Sequence, residues 1–341
     1  TQYPDIQKEI NAYLEYNPDV FRNKTVLLPC DDPEWSNFTK FFAQNFENFG
    51  LKKLISTSYA IESKKYKTDW QPTLFETENP LFNLDKSKRC GKIFVLDHDT
   101  NANGKIDIDD LQWQYLEDDG DFRSDEVKRL RDEADIIVTN PPFSLFREFM
   151  AWLFDSRKIF LILGNMNAIS YKEVFPLIKD NQLWLGVTSG AKEYLKPQGG
   201  TQKMGNTCWF TNVDHGRRHQ PLSLMSMADN LKFSRHSEIK GRTDYIHYEN
   251  YDAIEVPYVD AIPVDYDGAM GVPLSFLDKY CPEQFEIIGH PHGDYGLELG
   301  LKPFPRELKM LNKGLRDGDL YYMNDGRPEL PYRRILINKK Q

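Results

Sequence analysis

Short apolar runs alternate with segments of helical periodicity over most of the chain before residue 214. The predicted strands are 25–28, 51–59, 93–96, 135–139 and 159–164. The predicted helices are 5–16, 34–49 and 144–155. Such alternation predicts an α/β fold with a mostly parallel sheet between two layers of helices. Sheets of this kind bind their ligands at the carboxyl ends of the strands.

The pattern changes near residue 214. Beyond it prolines, glycines and tyrosines become frequent, helical periodicity weakens, and short strands such as 334–337 are predicted. The sequence therefore predicts a sheet domain over 1–213, with an insertion over 60–118, and a mixed or β-rich domain over 214–341.

Charge is distributed unevenly around a net value of -9. Between Asp97 and Asp135 there are 14 acidic and 5 basic residues, whereas from Leu301 onward there are 10 basic and 5 acidic residues. A basic C-terminal region beside an acidic middle indicates one face that meets a polyanion. Solvated charge without a binding role explains the same distribution.

Composition narrows the class of protein further. No apolar run reaches the ~18 residues that a membrane span needs, so no membrane association is expected. The four cysteines are scattered without C-x-x-C spacing. They predict reduced thiols in a cytoplasm rather than disulfides or a zinc site.

The tetrapeptide Asn140-Pro141-Pro142-Phe143 follows the apolar run 135–139. An aryl amine is a poor nucleophile because its lone pair is delocalised into the ring. The Asn140 side-chain oxygen and the Pro141 carbonyl can each accept one N–H and localise that pair, while the prolines fix the backbone. Phe143 offers a ring face for stacking, worth roughly 1–3 kcal/mol per base. The segment predicts metal-independent methyl transfer from a sulfonium to an amine; a proline-terminated strand before a capped helix is the structural alternative.

Two further segments are candidates for binding an adenosyl cofactor. The loop 29–33 after the first strand has no glycine, but Asp31 or Asp32 could bind an ammonium or hydroxyl group beside the next helix N-terminus. Helix capping is the alternative role of these carboxylates. Asp121 could accept from the cofactor's adenine amine while Phe122 packs on its ring; a generic turn is the alternative.

The order of motifs along nearly the whole chain is distinctive. The segments are 1–3, 30–33, 120–124, 139–149, 164–169, 171–173, 205–212, 271–279 and 332–337. Together they resemble the EcoRI-type adenine-specific DNA methyltransferases. The tetrapeptide alone resembles motif IV of amino-methyltransferases, which act on adenine N6, guanine N2 or a glutamine amide.

This resemblance implies a Rossmann-like class I S-adenosylmethionine-dependent core on a mostly parallel seven-stranded sheet, followed by a C-terminal target-recognition domain. It implies N6 methylation of an adenine flipped out of duplex DNA. It further implies a cytoplasmic monomer of a restriction–modification or stand-alone modification system, with a cognate restriction endonuclease as a second partner.

Site residues follow from the motifs and the resemblance together. S-adenosylmethionine is expected to contact Thr1, Gln2, Tyr3, Pro29, Cys30, Asp31, Asp32, Pro33, Asp121, Phe122 and Asn140. Phe143, Trp209 and Phe210 are expected to line the base pocket. DNA is expected to contact Arg217, Arg218, Arg235, Lys313, Arg316, Arg333 and Arg334. The segment 56–59 lacks the carboxylate that usually follows the second strand, which leaves ribose binding unassigned.

The segment 99–110 matches a calcium-binding loop. Its oxygen-rich positions and Gly104 follow the D-x-N-x-N-G pattern, and it ends in Asp rather than Glu. The predicted calcium contacts are Asp99, Asn101, Asn103, Lys105, Asp107 and Asp110. Calcium would order the loop rather than act in catalysis; an acidic hairpin that binds no metal is the alternative.

Two other functions compete with DNA adenine methylation. The first is methylation of guanine N2 in RNA or of a protein glutamine, since related tetrapeptides serve both. The second is a catalytically inactive, calcium-ordered DNA-binding protein on the same fold. The intact tetrapeptide and the extent of the resemblance favour the DNA enzyme.

Overall fold

The computed structural model describes residues 1–32, 36–60, 77–195, 200–311, 314–324 and 326–340. They form two compact units, the first made of Thr1–Val174 with Leu183–Gly216 and the second of Phe175–Gln182 with Arg217–Gln341. The sequence had suggested a boundary after Val213. The segment 175–182 joins the second unit because Phe175 packs against the ring of His290, with centroids 5.4 Å apart.

The first unit carries a large sheet with helices packed on it. Its helices are α1 (Tyr3–Tyr16), α2 (Asn37–Gln44), α3 (Phe46–Phe49), α4 (Leu84–Arg89), α5 (Asp125–Glu133) and α6 (Phe146–Ser156). Its strands are β1 (Thr25–Leu28), β2 (Lys53–Ser58), β3 (Lys92–Leu96), β4 (Gln112–Tyr115), β5 (Ile136–Thr139), β6 (Ile159–Asn165), β7 (Trp184–Leu195) and β8 (Thr201–Thr211). Short 3-10 helices occupy Ile108–Asp110, Phe143–Leu145 and Met166–Ser170.

The described strands of this sheet run in the order β4-β3-β2-β1-β5-β6-β8-β7. The neighbouring pairs β2–β1, β1–β5 and β5–β6 at the centre are parallel, and the pairs β3–β4, β2–β3, β6–β8 and β8–β7 on the flanks are antiparallel. The sheet is therefore mixed and eight-stranded in the described part of the chain, which corrects the expectation of seven mostly parallel strands. A short apolar run indicates burial but not direction, and an antiparallel neighbour needs no crossover helix. The expected insertion over 60–118 contributes β3 and β4 to the sheet.

One apolar core cluster of this unit lies between the sheet and the pair α1 and α2. Apolar side chains of both helices pack on the central strands, as the helical periodicity of Ile6, Ile10 and Tyr13 predicts. Glu9 is buried on the same helix. Its carboxylate accepts hydrogen bonds from the Val187 N–H at 2.8 Å and from the Thr188 N–H and hydroxyl at 2.7 and 2.6 Å. The helix thereby fixes the middle of β7.

The second unit is richer in short strands. Its helices are α7 (Phe175–Lys179), α8 (Met227–Phe233), α9 (Gly293–Glu298) and α10 (Arg306–Leu311). Its strands are β9 (Ala253–Glu255), β10 (Ala269–Pro273), β11 (Phe285–Gly289), β12 (Tyr322–Asn324), β13 (Arg327–Glu329) and β14 (Arg334–Lys339). A four-stranded sheet has the order β11-β14-β10-β9, and β12 pairs with β13. Among the described residues, no helix is long and apolar enough to cross a membrane.

Candidate active site

The tetrapeptide lies at the carboxyl end of β5, a central strand. Pro141 is buried, Pro142 is exposed and Phe143 begins the short helical turn that leads into α6. The Oδ1 atom of Asn140 is buried and has no hydrogen-bond partner among the residues that the structure describes. An unpaired buried acceptor costs roughly 1–3 kcal/mol. Its position therefore suits a ligand that brings an N–H donor.

The loop after β1 reaches the same edge of the sheet through Asp31. This side chain is 5% exposed. One carboxylate oxygen accepts the Thr139 hydroxyl at 2.5 Å and the other accepts the Ser36 hydroxyl at 2.8 Å. The Asn140 backbone N–H donates to the same carboxylate. Burial raises the pKa of Asp31 to about 6, although these three hydrogen bonds act in the opposite direction.

Buried hydroxyl groups hold the backbone of this loop. The Asp31 carbonyl accepts from Ser56 and, at 3.4 Å, from Thr39, whose hydroxyl lies 2.9 Å from that of Ser56. The Pro29 carbonyl accepts the Thr57 hydroxyl at 3.0 Å. The polar residues that end β2 therefore fix the loop after β1. They occupy the region in which the sequence offered no ribose-binding carboxylate.

Acidic groups surround the end of β1. Burial raises the pKa of the Cys30 thiol, and the nearby Asp31 and Asp121 carboxylates raise it further, so the thiol is neutral. Asp32 is half-buried beside them, and Pro33, another predicted cofactor contact, lies outside the described residues. A negative site of this kind suits a cationic ligand.

The Asp121 loop packs tightly against the end of β2. Gly120 has φ +79°, and a Cβ there would overlap the Ser58 carbonyl oxygen. Asp121 is held by Arg123 at 2.7 Å, and this contact lowers the pKa of its carboxyl. Phe122 is 4% exposed and packs on Phe149 with centroids 5.0 Å apart. Its ring therefore belongs to the packing of α6, which differs from the expectation that it stacks on the cofactor.

The first residues of the chain lie beside the same loop. Asn37, at the start of α2, donates to the Thr1 carbonyl at 2.8 Å, and the Gln2 carbonyl accepts the first N–H groups of α1. The Tyr3 hydroxyl donates to Gln44 at 2.9 Å, and its ring contacts Phe41. These contacts anchor Thr1 and Tyr3 to α2, and Gln2 to α1, next to the loop that bears Asp31.

A second aromatic residue faces the tetrapeptide from the β7–β8 hairpin. The rings of Tyr194 and Phe143 are 6.5 Å apart between centroids and 82° apart in plane, and both residues are half-buried. Sequence reasoning overlooked Tyr194. The signal available to it was an aromatic residue at the end of a strand, before the Gly- and Gln-rich segment.

Trp209 and Phe210 do not line an accessible pocket. Both are completely buried on β8. Trp209 packs on Phe38 and donates its indole N–H to Thr188 at 3.1 Å, while Phe210 packs on Phe146 at the start of α6. Their expected role in base stacking is corrected because neither ring presents a face to a ligand in this structure.

The whole chain matches one family of known proteins. A family model described as adenine-specific methyltransferase EcoRI matches residues 1–340. The chain belongs to this family. It is 36% identical to the Type II methyltransferase M.EcoRI of Escherichia coli, over 100% of this chain and 92% of that protein. It is 32% identical to Type II methyltransferase M.MpnI of Mycoplasma pneumoniae, over 84% of this chain and 80% of that protein. No solved structure matches the chain.

Membership of the EcoRI-type family makes the chain an adenine-specific DNA methyltransferase and implies S-adenosylmethionine as the methyl donor. The residues at the carboxyl edge fit such a molecule. Its sulfonium and ammonium groups are cations, and the carboxylates of Asp31 and Asp32 follow β1 at this edge, with Asp121 nearby in its pair with Arg123. The unpaired Asn140 oxygen fits the amine that receives the methyl group.

Two of the arginines that were expected to contact DNA are buried in this methyltransferase. Arg334 is 9% exposed and pairs with Glu255 at 2.5 Å, and Tyr248 donates to the same carboxylate. Arg218 is 7% exposed and donates to the side chain of Asn181. Both guanidinium groups are buried, and that of Arg334 is already paired with a carboxylate, so neither is exposed to a phosphate in this structure and both assignments are corrected. The sequence does not indicate these contacts because Asn181 and Glu255 are distant along the chain from Arg218 and Arg334.

The other candidate DNA contacts are more accessible. Arg235 has 79% of its side chain exposed and pairs with Asp260 at 2.9 Å. Arg316 and Arg333 are exposed, and Arg217 is half-buried. Lys313 lies outside the described residues.

The calcium-like loop is held together by its own side chains. Asp110 is 1% exposed, and its oxygens accept from the Thr100 N–H and hydroxyl at 2.8 and 2.9 Å, from the Asn101 N–H and from the Asp107 N–H. Burial alone would raise the pKa of Asp110, but these hydrogen bonds lower it. Asp110, at the expected last ligand position, therefore uses its carboxylate to accept hydrogen bonds from within the loop.

Other polar side chains of this loop also accept hydrogen bonds from its backbone N–H groups. The Asp99 carboxylate accepts hydrogen bonds from the backbone N–H groups of Asn103 and Gly104. The side-chain oxygens of Asn101, Asn103 and Asp107 each accept from the backbone N–H two residues further along the chain. No cluster of three potential metal ligands of the His, Cys, Asp or Glu type occurs in the described residues. The expectation of calcium is thus not supported, because short polar side chains at alternate positions also cap a tight acidic turn.

Proposed function

We propose that this chain methylates the N6 amine of an adenine flipped out of duplex DNA, with Asn140-Pro141-Pro142-Phe143 as its catalytic segment. The observation that carries the proposal is the buried, unpaired Oδ1 atom of Asn140 at the carboxyl end of β5, in a member of this family. This acceptor and the Pro141 carbonyl would each take one N–H of the amine. The amine nitrogen would then approach tetrahedral geometry and direct its lone pair outward.

The methyl donor would lie against the acidic carboxyl edge of the sheet, beside Cys30, Asp32 and Asp121. When bound, S-adenosylmethionine supplies an electrophilic methyl group on a sulfonium. The cationic character of that group agrees with the carboxylates around the end of β1. The parallel centre of the sheet and the position of this edge support a Rossmann-like class I core.

The target base would be held by aromatic rings. Phe143 and Tyr194 present nearly perpendicular faces on two elements, the turn after β5 and the β7–β8 hairpin. A base that leaves the duplex loses a few kcal/mol of stacking and pairing. Contacts with these rings would recover part of that loss, since base–aromatic stacking contributes roughly 1–3 kcal/mol.

Recognition of the DNA would fall to the second unit, as a target-recognition domain over about 214–341. Arg235, Arg316 and Arg333 are its exposed candidate contacts with phosphates. The relatives' names as type II methyltransferases support a place in a restriction–modification system. We accordingly propose a cytoplasmic enzyme that acts as a monomer and has a cognate endonuclease.

A substrate comparison tests this function. Purified protein is incubated with methyl-labelled S-adenosylmethionine and with duplex DNA, structured RNA or a protein extract, beside an Asn140→Ala variant. Label should enter only the DNA, and the variant should transfer at least 100-fold less because one acceptor of the amine is lost. Label in RNA or protein but not in DNA would contradict the proposal.

A further inference from the structure

Asp31 connects two strands through its side chain rather than projecting into the cofactor region. It follows β1, yet its carboxylate accepts from Thr139, the last residue of β5, and from the backbone of Asn140. With Ser36 as third donor, both carboxylate oxygens are engaged and the side chain is 5% exposed. Little of it is left for a ligand.

The backbone of Asp31 is in turn held by hydrogen bonds from two further elements. Thr39 of α2 and Ser56 of β2 both donate to the Asp31 carbonyl, and their hydroxyl groups contact each other. Asp31 therefore cannot shift without disturbing three elements. The residue that it holds, Asn140, carries the unpaired acceptor of the site.

Burying a carboxylate between two strands costs free energy unless hydrogen bonds or charges compensate for the lost hydration. Among the described ion pairs no arginine or lysine pairs with Asp31; three neutral donors bond to it, and the Thr1 ammonium is close enough to favour its ionised form. Hydrogen bonds to an ionised acceptor are shorter and stronger than those between neutral groups. Such bonds restrict the backbone of Asn140 more tightly than a neutral acceptor would.

We propose that Asp31 is a positioning residue for the methyl transfer: through Thr139 and the Asn140 N–H it fixes the backbone from which the Asn140 side chain accepts the target amine. This inference rests on the proposed function of Asn140. It differs from the expectation that Asp31 binds the cofactor, because the contact made by Asp31 is with the catalytic segment.

Thr139→Val tests the link while the Asp31 carboxylate remains. Valine keeps the shape and strand propensity of threonine but cannot donate to Asp31. Displacement of a catalytic group by about 1 Å can cost 100-fold in rate. We therefore expect a 10- to 100-fold loss of kcat with the KM for S-adenosylmethionine within about twofold of wild type, and recovery of kcat in Thr139→Ser.

Thr211→Val is the matched control. Thr211 is also fully buried at a strand end, and its hydroxyl donates to the Phe160 carbonyl at 2.7 Å, beside the start of β6 at the opposite edge of the sheet. It should keep wild-type kcat and KM. An equal loss of kcat in both valine variants would overturn the proposal, because it would indicate a general cost of removing a buried hydroxyl.

Asp31→Asn separates the two roles of the carboxylate. Positioning predicts a fall in kcat with S-adenosylmethionine affinity, measured by titration calorimetry, nearly unchanged. A weaker affinity with unchanged kcat would overturn the proposal and make Asp31 a cofactor ligand. An unchanged kcat in Thr139→Val would also overturn it. If wild-type protein methylates adenine and Asn140→Ala does not, the proposed function stands even where the inference about Asp31 fails.

Discussion

The rings of Phe143 and Tyr194 lie nearly perpendicular, at 82°, with their centroids 6.5 Å apart. One follows β5 and the other ends β7, so two elements distant in sequence meet beside the Asn140 acceptor. Glu9 contributes to this arrangement, because its buried carboxylate fixes β7 at Val187 and Thr188. Under the proposed function, the aromatic surface for the base would be shared between the tetrapeptide and the hairpin.

Replacing Tyr194 should therefore impair DNA methylation. Loss of one stacking ring costs roughly 1–3 kcal/mol, which predicts about a 5- to 100-fold fall in kcat/KM for DNA in Tyr194→Ala. Tyr194→Phe keeps the ring and should remain within about threefold of wild type. Steady-state kinetics on a duplex measures both variants. Equal activity of the alanine and wild-type proteins would remove Tyr194 from the base site.

Two adjacent arginines should behave in opposite ways. Arg334 is paired with buried Glu255, and breaking such a pair costs about 3–5 kcal/mol because one charge is left buried and alone. Arg334→Met should therefore lower the urea midpoint of the second unit strongly. Arg333→Met should lower that midpoint much less, since its side chain is exposed. If Arg333→Met proved the more destabilising change, the buried pair would be misassigned.

Arg333 should instead affect DNA binding. If it contacts a phosphate, Arg333→Met reduces affinity about equally for all sequences and lowers the slope of log K against log salt by about 1. Fluorescence anisotropy at several salt concentrations measures this slope. An unaltered slope would exclude a phosphate contact by Arg333.

The acidic loop 99–110 should owe its stability to Asp110 and not to calcium. Its hydrogen bonds hold the pKa of Asp110 below the usual value, so the stability they provide is present above the unfolded pKa and is lost as pH falls through the folded pKa. Asp110→Asn should lower the melting temperature at neutral pH equally with calcium or with a chelator. A melting temperature of the wild type that rises with calcium, and not in Asp110→Asn, would contradict this account.

The ionisation of Asp31 should be visible in pH-dependent stability. Its folded pKa is raised from 3.8 to about 6, so the ionised form destabilises the folded state. The cost is absent below pH ~4, grows between pH ~4 and ~6, and is complete above, at about 3 kcal/mol. Neighbouring Cys30 stays neutral and Asp121 titrates below its usual range, so neither obscures this interval; the Thr1 ammonium, which favours ionised Asp31, is the other charged neighbour and is shared by wild type and variant.

Comparison with Asp31→Asn isolates this effect. The unfolding free energy of the variant minus that of wild type should increase by about 3 kcal/mol between pH ~4 and ~7. Urea denaturation at a series of pH values provides the measurement. A constant difference over this interval would mean that Asp31 has an ordinary pKa.

The central strands and the tetrapeptide could be predicted from sequence because they depend on local signals. The apolar run ending at Thr139 became β5, and the helical spacing of Ile6, Ile10 and Tyr13 became α1. Strand direction could not be predicted, since β3 and β8 have apolar patterns that suit either direction. The sheet is accordingly more antiparallel than expected.

The roles of individual site residues could not be predicted, because they depend on contacts between residues that are distant in sequence. Nothing near Arg334 in sequence indicates that Glu255 neutralises it, and nothing near Trp209 indicates that Phe38 covers it. The loop 99–110 shows the same limit, because a pattern of oxygen side chains is shared by calcium loops and self-capped turns. The sequence makes Asp31 a candidate cofactor contact, but its link with Thr139 becomes apparent only when β1 and β5 lie side by side.

The most direct test of the central claim identifies the methylated atom. Duplex DNA treated with wild-type protein and S-adenosylmethionine is digested to nucleosides and analysed by mass spectrometry, with Asn140→Ala as the matched inactive variant. Wild-type protein should yield N6-methyl-2′-deoxyadenosine, and the variant should yield none. A methyl group on cytosine or guanine, or N6-methyladenine formed equally by Asn140→Ala, would contradict this claim.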